Sequence, residues 1–208
     1  MHSISVMSVA LQIYFKERKL NLTDREFEWY ASLFQQKYMK KGEFLLNEGE
    51  VCKYTAFVVK GCLRSYTIDN KGKEHIMQFA PENWWISDMD SFAKKTPSIY
   101  FIDALEDSEV LLIDSSSYDK AMVQLPQLAL FFQELIQNRQ AASQKRIIFS
   151  MSASAEERYL DFLKTYPAFI QRVPQHMIAS YLGITPESLS RVRKQIAHPN
   201  LPKEGLSN

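Results

Sequence analysis

The stretch from Thr185 to Lys194 carries the side chains with the most direct chemical use. At about 100° of rotation per helical residue, Leu189, Val192 and Ile196 share one side of a helix. Four polar residues fall roughly opposite: Glu187, Ser190, Arg191 and Lys194. Carboxylate, hydroxyl, guanidinium and ammonium groups on one exposed face are the groups that contact base edges and phosphates. The spacing therefore indicates a DNA-reading surface, with an ordinary solvated helix face as the alternative.

Two short helices joined at Gly183 are predicted to position this face. The first has Pro174 at its start and an apolar inner side: Ile178, Ala179 and Leu182. Gly183 permits a sharp turn, Thr185 is placed to cap the second helix, and Pro186 suits its first position. A helix, a glycine turn and a capped helix with a polar face are typical of a helix-turn-helix. The alternative is a plain helical hairpin.

Two further residues are candidate phosphate contacts. His176 lies at the start of the first helix, and Arg193 lies nearer the apolar side of the second. Arg193 either lays its stem along apolar surface or reaches a phosphate.

Charge is divided unevenly along the chain. The 208 residues carry a net charge of +1, which by itself argues against a wholly basic nucleic-acid binder. Residues 139–208 hold ten Lys and Arg against five Asp and Glu, whereas residues 1–138 hold 15 against 19. The net charges are therefore +5 and −4, and the basic part suits duplex DNA, whose affinity depends on phosphate neutralisation.

The middle of the chain, Gly42 to Asp114, has the texture of an antiparallel β-sandwich or barrel. Short apolar segments alternate with turn residues. These segments are Phe44–Leu46, Tyr54–Val59, Leu63–Ile68, His75–Phe79, Trp84–Ile86, Ile99–Ala104 and Val110–Ile113. Four aromatic residues in this region can line a ligand pocket or pack in the core: Trp84, Trp85, Phe92 and Tyr100.

Helical patterns flank this region. Residues 8–39 are predicted helical, with a capping box at Thr23 and Glu26, and Ser154 with Glu157 forms a second capping box. Between them runs a heptad seam: Leu125, Leu128, Phe132, Leu135, Arg139, Ala142, Arg146 and Phe149. Such a seam favours pairing with a second copy of the chain, and the alternative is packing on its own domain.

Several classes of protein are disfavoured by the sequence. No run approaches the 18 apolar residues of a membrane span, and the start lacks the pattern of a signal peptide. Two cysteines, Cys52 and Cys62, give neither a disulfide framework nor an iron–sulfur cluster, which suits a reducing cytoplasm. His75 is the only histidine of the β region, so a cupin-like metal enzyme is disfavoured. We therefore expect a cytoplasmic, non-enzymatic protein without metal or cofactor.

The chain resembles the Crp/Fnr family of bacterial transcription regulators from about Leu20 to about Ala197. The resemblance rests on Gly42 to Glu50, on Phe57 to Gly61 with Arg64, and on Ile178 to Arg191. It implies a cyclic-nucleotide-binding-like β-roll, a long dimerisation helix and a winged helix-turn-helix. It also implies a homodimer on a pseudo-palindromic operator, with RNA polymerase as a further candidate partner.

Individual DNA contacts follow from the resemblance. Glu187 and Arg191 match the main base-contacting positions, and Ser188 matches a small polar position near phosphate. Pro186 stands where the family often has an arginine, so one base contact is expected to be missing. After Ile196 the sequence is short and rich in breakers, which predicts a reduced or absent wing.

The phosphate cassette of cyclic-AMP-binding members is not reproduced. Ser87-Asp88 replaces the expected Gly-Glu pair, Ser98-Ile99 replaces Arg-Ser, and Asp88 and Asp90 would repel a phosphate. Lys94 or Lys95 would be weak substitutes for the arginine fork. Ser143 and Gln144 match positions that face the base, but they are also plain polar interruptions of a helix. The remaining ligand-pocket candidates are Trp85, Asp88, Phe92 and Tyr100.

The sequence thus predicts an α+β chain in three parts. Residues 1–119 form an N-terminal antiparallel β-roll of the jelly-roll type with flanking helices, residues 120–150 the dimerisation helix, and residues 151–208 the helix-turn-helix. The predicted function is that of a homodimeric, sequence-specific DNA-binding regulator that does not depend on cyclic AMP, with unknown effector. The alternative is a β-roll ligand-binding or scaffold module without specific DNA binding.

Overall fold

The structure is a computed structural model that describes residues 6–197. The chain forms two compact units whose boundary lies between Asn138 and Arg139. The boundary falls inside the helix that the sequence assigns to dimerisation.

The first unit combines a β-roll with helices. Its helices are α1 (Val6–Glu17), α2 (Asp24–Ala31), α3 (Met89–Lys94), α4 (Ser115–Gln124) and the first part of α5 (Pro126–Ser152). Its strands are β1 (Gln35–Met39), β2 (Phe44–Leu46), β3 (Tyr54–Lys60), β4 (Leu63–Ile68), β5 (Glu74–Ala80), β6 (Trp85–Ile86), β7 (Phe101–Ala104) and β8 (Ser108–Asp114). The second unit contains the end of α5, α6 (Ala155–Thr165), α7 (Phe169–Arg172), α8 (Gln175–Leu182) and α9 (Pro186–Ala197).

The strands form two four-stranded antiparallel sheets, with strand orders β1-β8-β3-β6 and β2-β7-β4-β5. All seven segments predicted from alternating apolar and turn residues are strands, so the predicted antiparallel β-roll is confirmed. Gly61 is essential to the turn after β3, because its φ is +92° and an added Cβ would lie 2.8 Å from Ser108 Cα. Both the conformation and the space at this position exclude any side chain.

The sequence-based helix over residues 8–39 is wrong at its end. The capping box of Thr23 and Glu26 is present and begins α2, but α2 ends at Ala31 and residues 35–39 form strand β1. β1 pairs with β8 from Gln35 opposite Leu112 to Met39 opposite Ser108. Pairing with a distant strand overrides the local pattern, because it supplies the backbone hydrogen bonds of both strands.

The first unit has two apolar clusters. One fills the interior of the roll and includes Val58, Leu63, Phe92 and Ile102. The other lies where α1, α2, α4 and α5 cover the β1-β8-β3-β6 sheet, with buried Tyr14, Phe57, Trp85, Leu111 and Phe132.

An ion pair joins two neighbouring strands of the second sheet. Arg64 on β4 lies opposite Asp103 on β7, and each side chain is only 8% exposed. Arg64 Nε donates to Asp103 Oδ1 at 2.8 Å and Nη2 donates to Oδ2 at 2.9 Å. Arg64 also pairs with Glu74 and lies over the Tyr66 ring at 4.1 Å. Burial lowers the pKa of Arg64, but the hydrogen bonds that Arg64 donates to Asp103 and Glu74 outweigh it, so the pKa lies above its ordinary value.

The first half of the heptad seam packs against its own chain. Leu125, Leu128 and Phe132 are buried in the outer cluster, and Leu135 packs against it. In the second unit, Arg146 lies over the Tyr181 ring at 4.6 Å. These seam residues are therefore engaged within the chain, which is the alternative that the sequence left open.

Candidate nucleic-acid interface

The turn between α8 and α9 has the geometry of a helix C-cap built on glycine. Gly183 adopts φ +67° and ψ 33°. Its N–H donates to the Ser180 carbonyl at 3.1 Å, and the Ile184 N–H donates to the Ala179 carbonyl at 3.0 Å. This second bond spans five residues and ends α8 in the manner of a Schellman motif. Gly183 thus sets the angle at which α9 leaves the turn.

Thr185 caps the beginning of α9. Its Oγ1 accepts from the Ser188 N–H at 3.2 Å and donates to Ser188 Oγ at 3.2 Å. The Glu187 N–H and the Thr185 hydroxyl lower the pKa of the Glu187 carboxyl. Glu187 is therefore ionised at neutral pH, as a hydrogen-bond acceptor at the positive end of the helix.

The two faces of α9 are separated as the sequence predicted. Leu189 and Val192 are buried, whereas the predicted reading residues are exposed: Glu187, Ser190, Arg191 and Lys194. Thr185 and His176 are exposed, and Ser188 and Arg193 are half-buried. Seven of the eight predicted DNA-contact residues thus lie on α9 or at Thr185 just before it, and the eighth, His176, lies in the first turn of α8.

Helix α6 supports the pair of helices from behind. Arg158 Nη1 donates to the Leu182 carbonyl at 3.3 Å, and its Nε donates to the Ala153 carbonyl at 3.0 Å. Arg158 therefore satisfies a carbonyl at the end of α8 and ties it to the start of α6. The sequence did not reveal this role, because a half-exposed arginine within a helix carries no signal for a partner 24 residues away.

An aromatic cluster fills the interior of the second unit. It consists of Phe162, Tyr166, Phe169 and Tyr181, and the Tyr166 and Phe169 rings stack with centroids 4.7 Å apart. Lys145 on α5 pairs with Asp161 on α6 at 2.7 Å. The Lys145–Asp161 pair and the contact of Arg146 with the Tyr181 ring join the last turns of α5 to α6 and α8.

Thr185→Ala is expected to destabilise the second unit by about 1 kcal/mol, because it removes the N-cap of α9. It also removes the hydroxyl that lowers the pKa of the neighbouring Glu187 carboxyl, so specific DNA affinity should fall with it. Thermal unfolding followed by circular dichroism measures the first effect. The matched control is Thr165→Ala, whose hydroxyl only donates back to the Asp161 carbonyl; equal losses in both variants would contradict a capping role.

The candidate ligand-pocket residues of the roll are not gathered at one place. Trp85 is buried in the outer cluster, 5.0 Å from Phe132 between ring centroids, whereas Phe92 is buried inside the roll. Ser143 and Gln144 are exposed on the part of α5 that belongs to the second unit. Trp85 and Phe92 therefore pack in the core, which is the alternative that the sequence left open.

Asp88 is the centre of a buried hydrogen-bond network. Its Oδ1 accepts from the Asp90 and Ser91 N–H groups and caps α3. Its Oδ2 accepts from the Ser98 hydroxyl at 2.7 Å, and Ser98 Oγ in turn accepts from the Tyr100 N–H at 3.0 Å. Asp88 and Ser98 are the residues that replace the acidic and arginine positions of the cassette. Here they bind each other.

Neither nearby lysine replaces the missing arginine. Lys94 pairs with Asp90 at 2.6 Å, and Lys95 Nζ donates to the Phe92 carbonyl at 2.7 Å. In the segment that matches the phosphate cassette, the polar side chains therefore bind one another, and one of them is a carboxylate that repels anions. These residues do not fit a cyclic nucleotide phosphate.

In the part of the chain that the structure describes, no helix combines the length and the apolar character that a membrane span needs. Residues 6–197 also contain no group of three or more His, Cys, Asp and Glu side chains arranged to hold a metal ion. The segment after Ala197, for which a reduced or absent wing is predicted, lies outside the described residues.

Comparison with known proteins finds one matching domain family and several similar transcription regulators. The family described as Cyclic nucleotide-binding domain matches residues 36–124. Transcriptional activator protein Anr of Pseudomonas protegens is 27% identical over 167 residues, which are 74% of this chain and 67% of that protein. The Fumarate and nitrate reduction regulatory protein of Vibrio cholerae is 26% identical over 199 residues, 90% of this chain and 76% of that protein.

Solved structures show the same fold. FixK2 from Bradyrhizobium japonicum has a TM-score of 0.70 at 22% identity, covering 83% of this chain and 89% of that chain. The Catabolite Activator Protein of Thermus thermophilus has a TM-score of 0.57 at 19% identity, covering 92% and 90%. At these identities the structures bear on the fold alone.

Proposed function

We propose, because this chain belongs to the Crp/Fnr family of transcriptional regulators, that it controls transcription by binding duplex DNA through α9. The observation that carries the proposal is the exposed polar face of α9 above a buried apolar side. In this arrangement Arg191 donates to guanine O6 and N7, and Glu187 accepts from a cytosine amino group. Pro186 stands where the family often has an arginine, so this reading surface has one base-contacting side chain fewer.

The surrounding residues contact the DNA backbone. Thr185 and Ser188 lie at the turn, His176 lies in the first turn of α8, and Arg193 and Lys194 lie farther along α9. Hydroxyl, imidazole and cationic groups at these places position a helix on phosphates without reading sequence. The net charge of +5 over residues 139–208 supports the same role.

The regulator acts as a homodimer. Two copies related by a twofold axis present two α9 helices, so the operator is pseudo-palindromic and its half-sites are separated by about one turn of DNA. Residues 125–149, all but the first of which lie in α5, form the segment that pairs with its copy. A bound dimer exerts its effect by contacting or obstructing RNA polymerase, which is therefore a further partner. The protein acts in the cytoplasm and has no enzymatic role.

Gel-shift titrations, each at one fixed salt concentration and repeated over a series of concentrations, test this function. Genomic fragments should be selected by the purified protein, and the affinity for the selected site should exceed that for unrelated DNA by at least about a thousandfold. The logarithm of the binding constant should fall linearly with the logarithm of the salt concentration. Equal affinity for all fragments would support the alternative module without specific DNA binding.

The roll takes no cyclic nucleotide. The Ser98 hydroxyl donates its hydrogen bond to the Asp88 carboxylate. Residues 84–99, which match the phosphate cassette, contain no arginine that could bind a phosphate. A ligand that binds only the folded state raises the unfolding midpoint. Because we expect no binding, millimolar cyclic AMP or cyclic GMP should leave both the unfolding midpoint and the operator affinity unchanged. Differential scanning fluorimetry and the gel-shift titration measure the two quantities. A midpoint that rises with nucleotide concentration would overturn the proposal.

A further inference from the structure

A single arginine joins two carbonyls behind the DNA-reading pair of helices. Arg158 is the fourth residue of α6. Its Nη1 donates to the carbonyl of Leu182, the last residue of α8, and its Nε donates to the carbonyl of Ala153, which directly follows α5. A Cβ placed on Gly183 would lie 3.9 Å from Nη1. The guanidinium therefore lies beside the turn that leads into α9, and all these residues belong to the second unit.

Both carbonyls lie at the C-terminal ends of helices, where backbone acceptors lack partners within the helix. At the end of α8, the N–H groups of Gly183 and Ile184 donate to the Ser180 and Ala179 carbonyls, and Arg158 donates to the next free acceptor along the chain. A helix C-terminus carries a partial negative charge, which a cation stabilises. Arg158 thus bonds two such ends, which come from segments far apart in the sequence.

These two bonds restrict an angle that the apolar contacts leave loose. Leu182 and Leu189 are buried, but burial of apolar surface has no directional preference. A guanidinium is planar and holds its N–H donors in a fixed arrangement. When two of these donors bond carbonyls from different segments, the relative orientation of the segments is fixed as well as their distance.

We propose that Arg158 is a positioning residue for DNA reading, which fixes the angle of α8 and α9 and thereby sets the half-site spacing that the regulator accepts. The inference rests on the function proposed above. α9 has 12 residues and is about 18 Å long. A tilt of about 10° displaces the far end of such a helix by about 3 Å, which is close to the 3.4 Å rise of one base pair. A reading pair that is free to tilt by this amount matches several spacings equally well.

Operators with altered spacers test the proposal. The wild type should bind the selected operator at least about tenfold more tightly than operators whose spacer is one base pair longer or shorter. Arg158→Met removes the donors and keeps an unbranched side chain, so this preference should fall below about threefold. Affinity for a duplex with a single half-site, measured by fluorescence anisotropy, should stay within about twofold of the wild type, because the reading face of α9 is unaltered.

Arg158→Lys separates the fork from the charge. Lysine keeps the cation near the helix ends but replaces the planar fork with one ammonium group. We expect it to recover the unfolding temperature, followed by circular dichroism, but not the spacing preference. If Arg158→Met does not fold at the assay temperature, the lysine variant decides the outcome alone. Full recovery of the preference by lysine would show that charge suffices and would overturn the proposal.

Ser152→Ala is the matched control at the same corner of the second unit. Its hydroxyl donates to the Ile148 carbonyl within α5, so its loss leaves the bonds to α8 intact and should leave the spacing preference unchanged. An equal loss of preference in this control would overturn the role assigned to Arg158. An equal loss of affinity for the single half-site and the full operator in Arg158→Met would also overturn it, because Arg158 would then contact DNA or support α9 itself.

The wild type distinguishes this inference from the proposed function. A wild type without specific DNA binding would refute the proposed function and, with it, the positioning role. A wild type that selects one spacing, together with an Arg158→Met variant that selects it as sharply, would refute the positioning role alone.

Discussion

Asp103→Ala is expected to lower the free energy of unfolding by about 3–5 kcal/mol, which is the cost of removing one partner from a buried ion pair. The Arg64 guanidinium would keep its charge in a site that is 8% exposed, with two of its hydrogen bonds lost. Glu74, which is 38% exposed, cannot replace both bonds. Urea unfolding monitored by tryptophan fluorescence measures the change through its midpoint at constant slope.

Two variants identify the cause of that loss. Replacing both Arg64 and Asp103 by leucine should recover much of the stability, because no charge is then left buried. Lys40→Ala removes the partner of Asp107 at the surface and keeps the bond from the Lys41 N–H to Asp107. It should leave the midpoint almost unchanged because exposed pairs contribute little. If the double leucine variant were as unstable as Asp103→Ala, the uncompensated charge would not be the cause.

Arg191→Ala is expected to weaken binding to the selected operator by about 1–3 kcal/mol, which is roughly 5- to 150-fold, and to relax the preference at one base pair. The side chain is exposed on α9 and no hydrogen bond within the described chain is assigned to it. Its removal should therefore leave the unfolding temperature unchanged. Gel-shift titrations on the operator and on single-base-pair variants measure the effect.

Lys194→Ala is the matched control, since it removes a cation from the same exposed face. A phosphate contact should weaken operator and non-specific binding alike and reduce the salt slope by about one. If Arg191→Ala behaved in the same way, Arg191 would contact phosphate rather than a base. If it had no effect at all, the assignment of α9 as the reading helix would fail.

The sequence predicted the helix-turn-helix well because its determinants are local. Thr185, Pro186 and Gly183 act through hydrogen bonds and dihedral angles within a few residues of themselves. The period of Leu189 and Val192 then decides which side of α9 is buried. The same locality explains the two capping boxes and most of the strands of the roll, whose turns fall at glycines and polar residues.

Other features depend on partners far along the chain. Residues 35–39 form strand β1 because their backbone pairs with that of β8, about 70 residues later in the chain. The sequence shows that Asp88 replaces the glutamate of the phosphate cassette. It does not show that Asp88 accepts a hydrogen bond from Ser98, which only the folded structure reveals. A sequence shows which groups are present, but only packing shows which polar groups satisfy one another.

Helix α5 shows the division most clearly. The sequence by itself determined that a long helix with heptad spacing follows the roll, because helical periodicity is a local property. It contains two such spacings, one through Leu128 and one through Leu130, and nothing local distinguishes the side that packs inward. The tertiary structure decided this by burying Leu128 and leaving Leu130 exposed, since burial depends on the surfaces that the rest of the chain brings to each side.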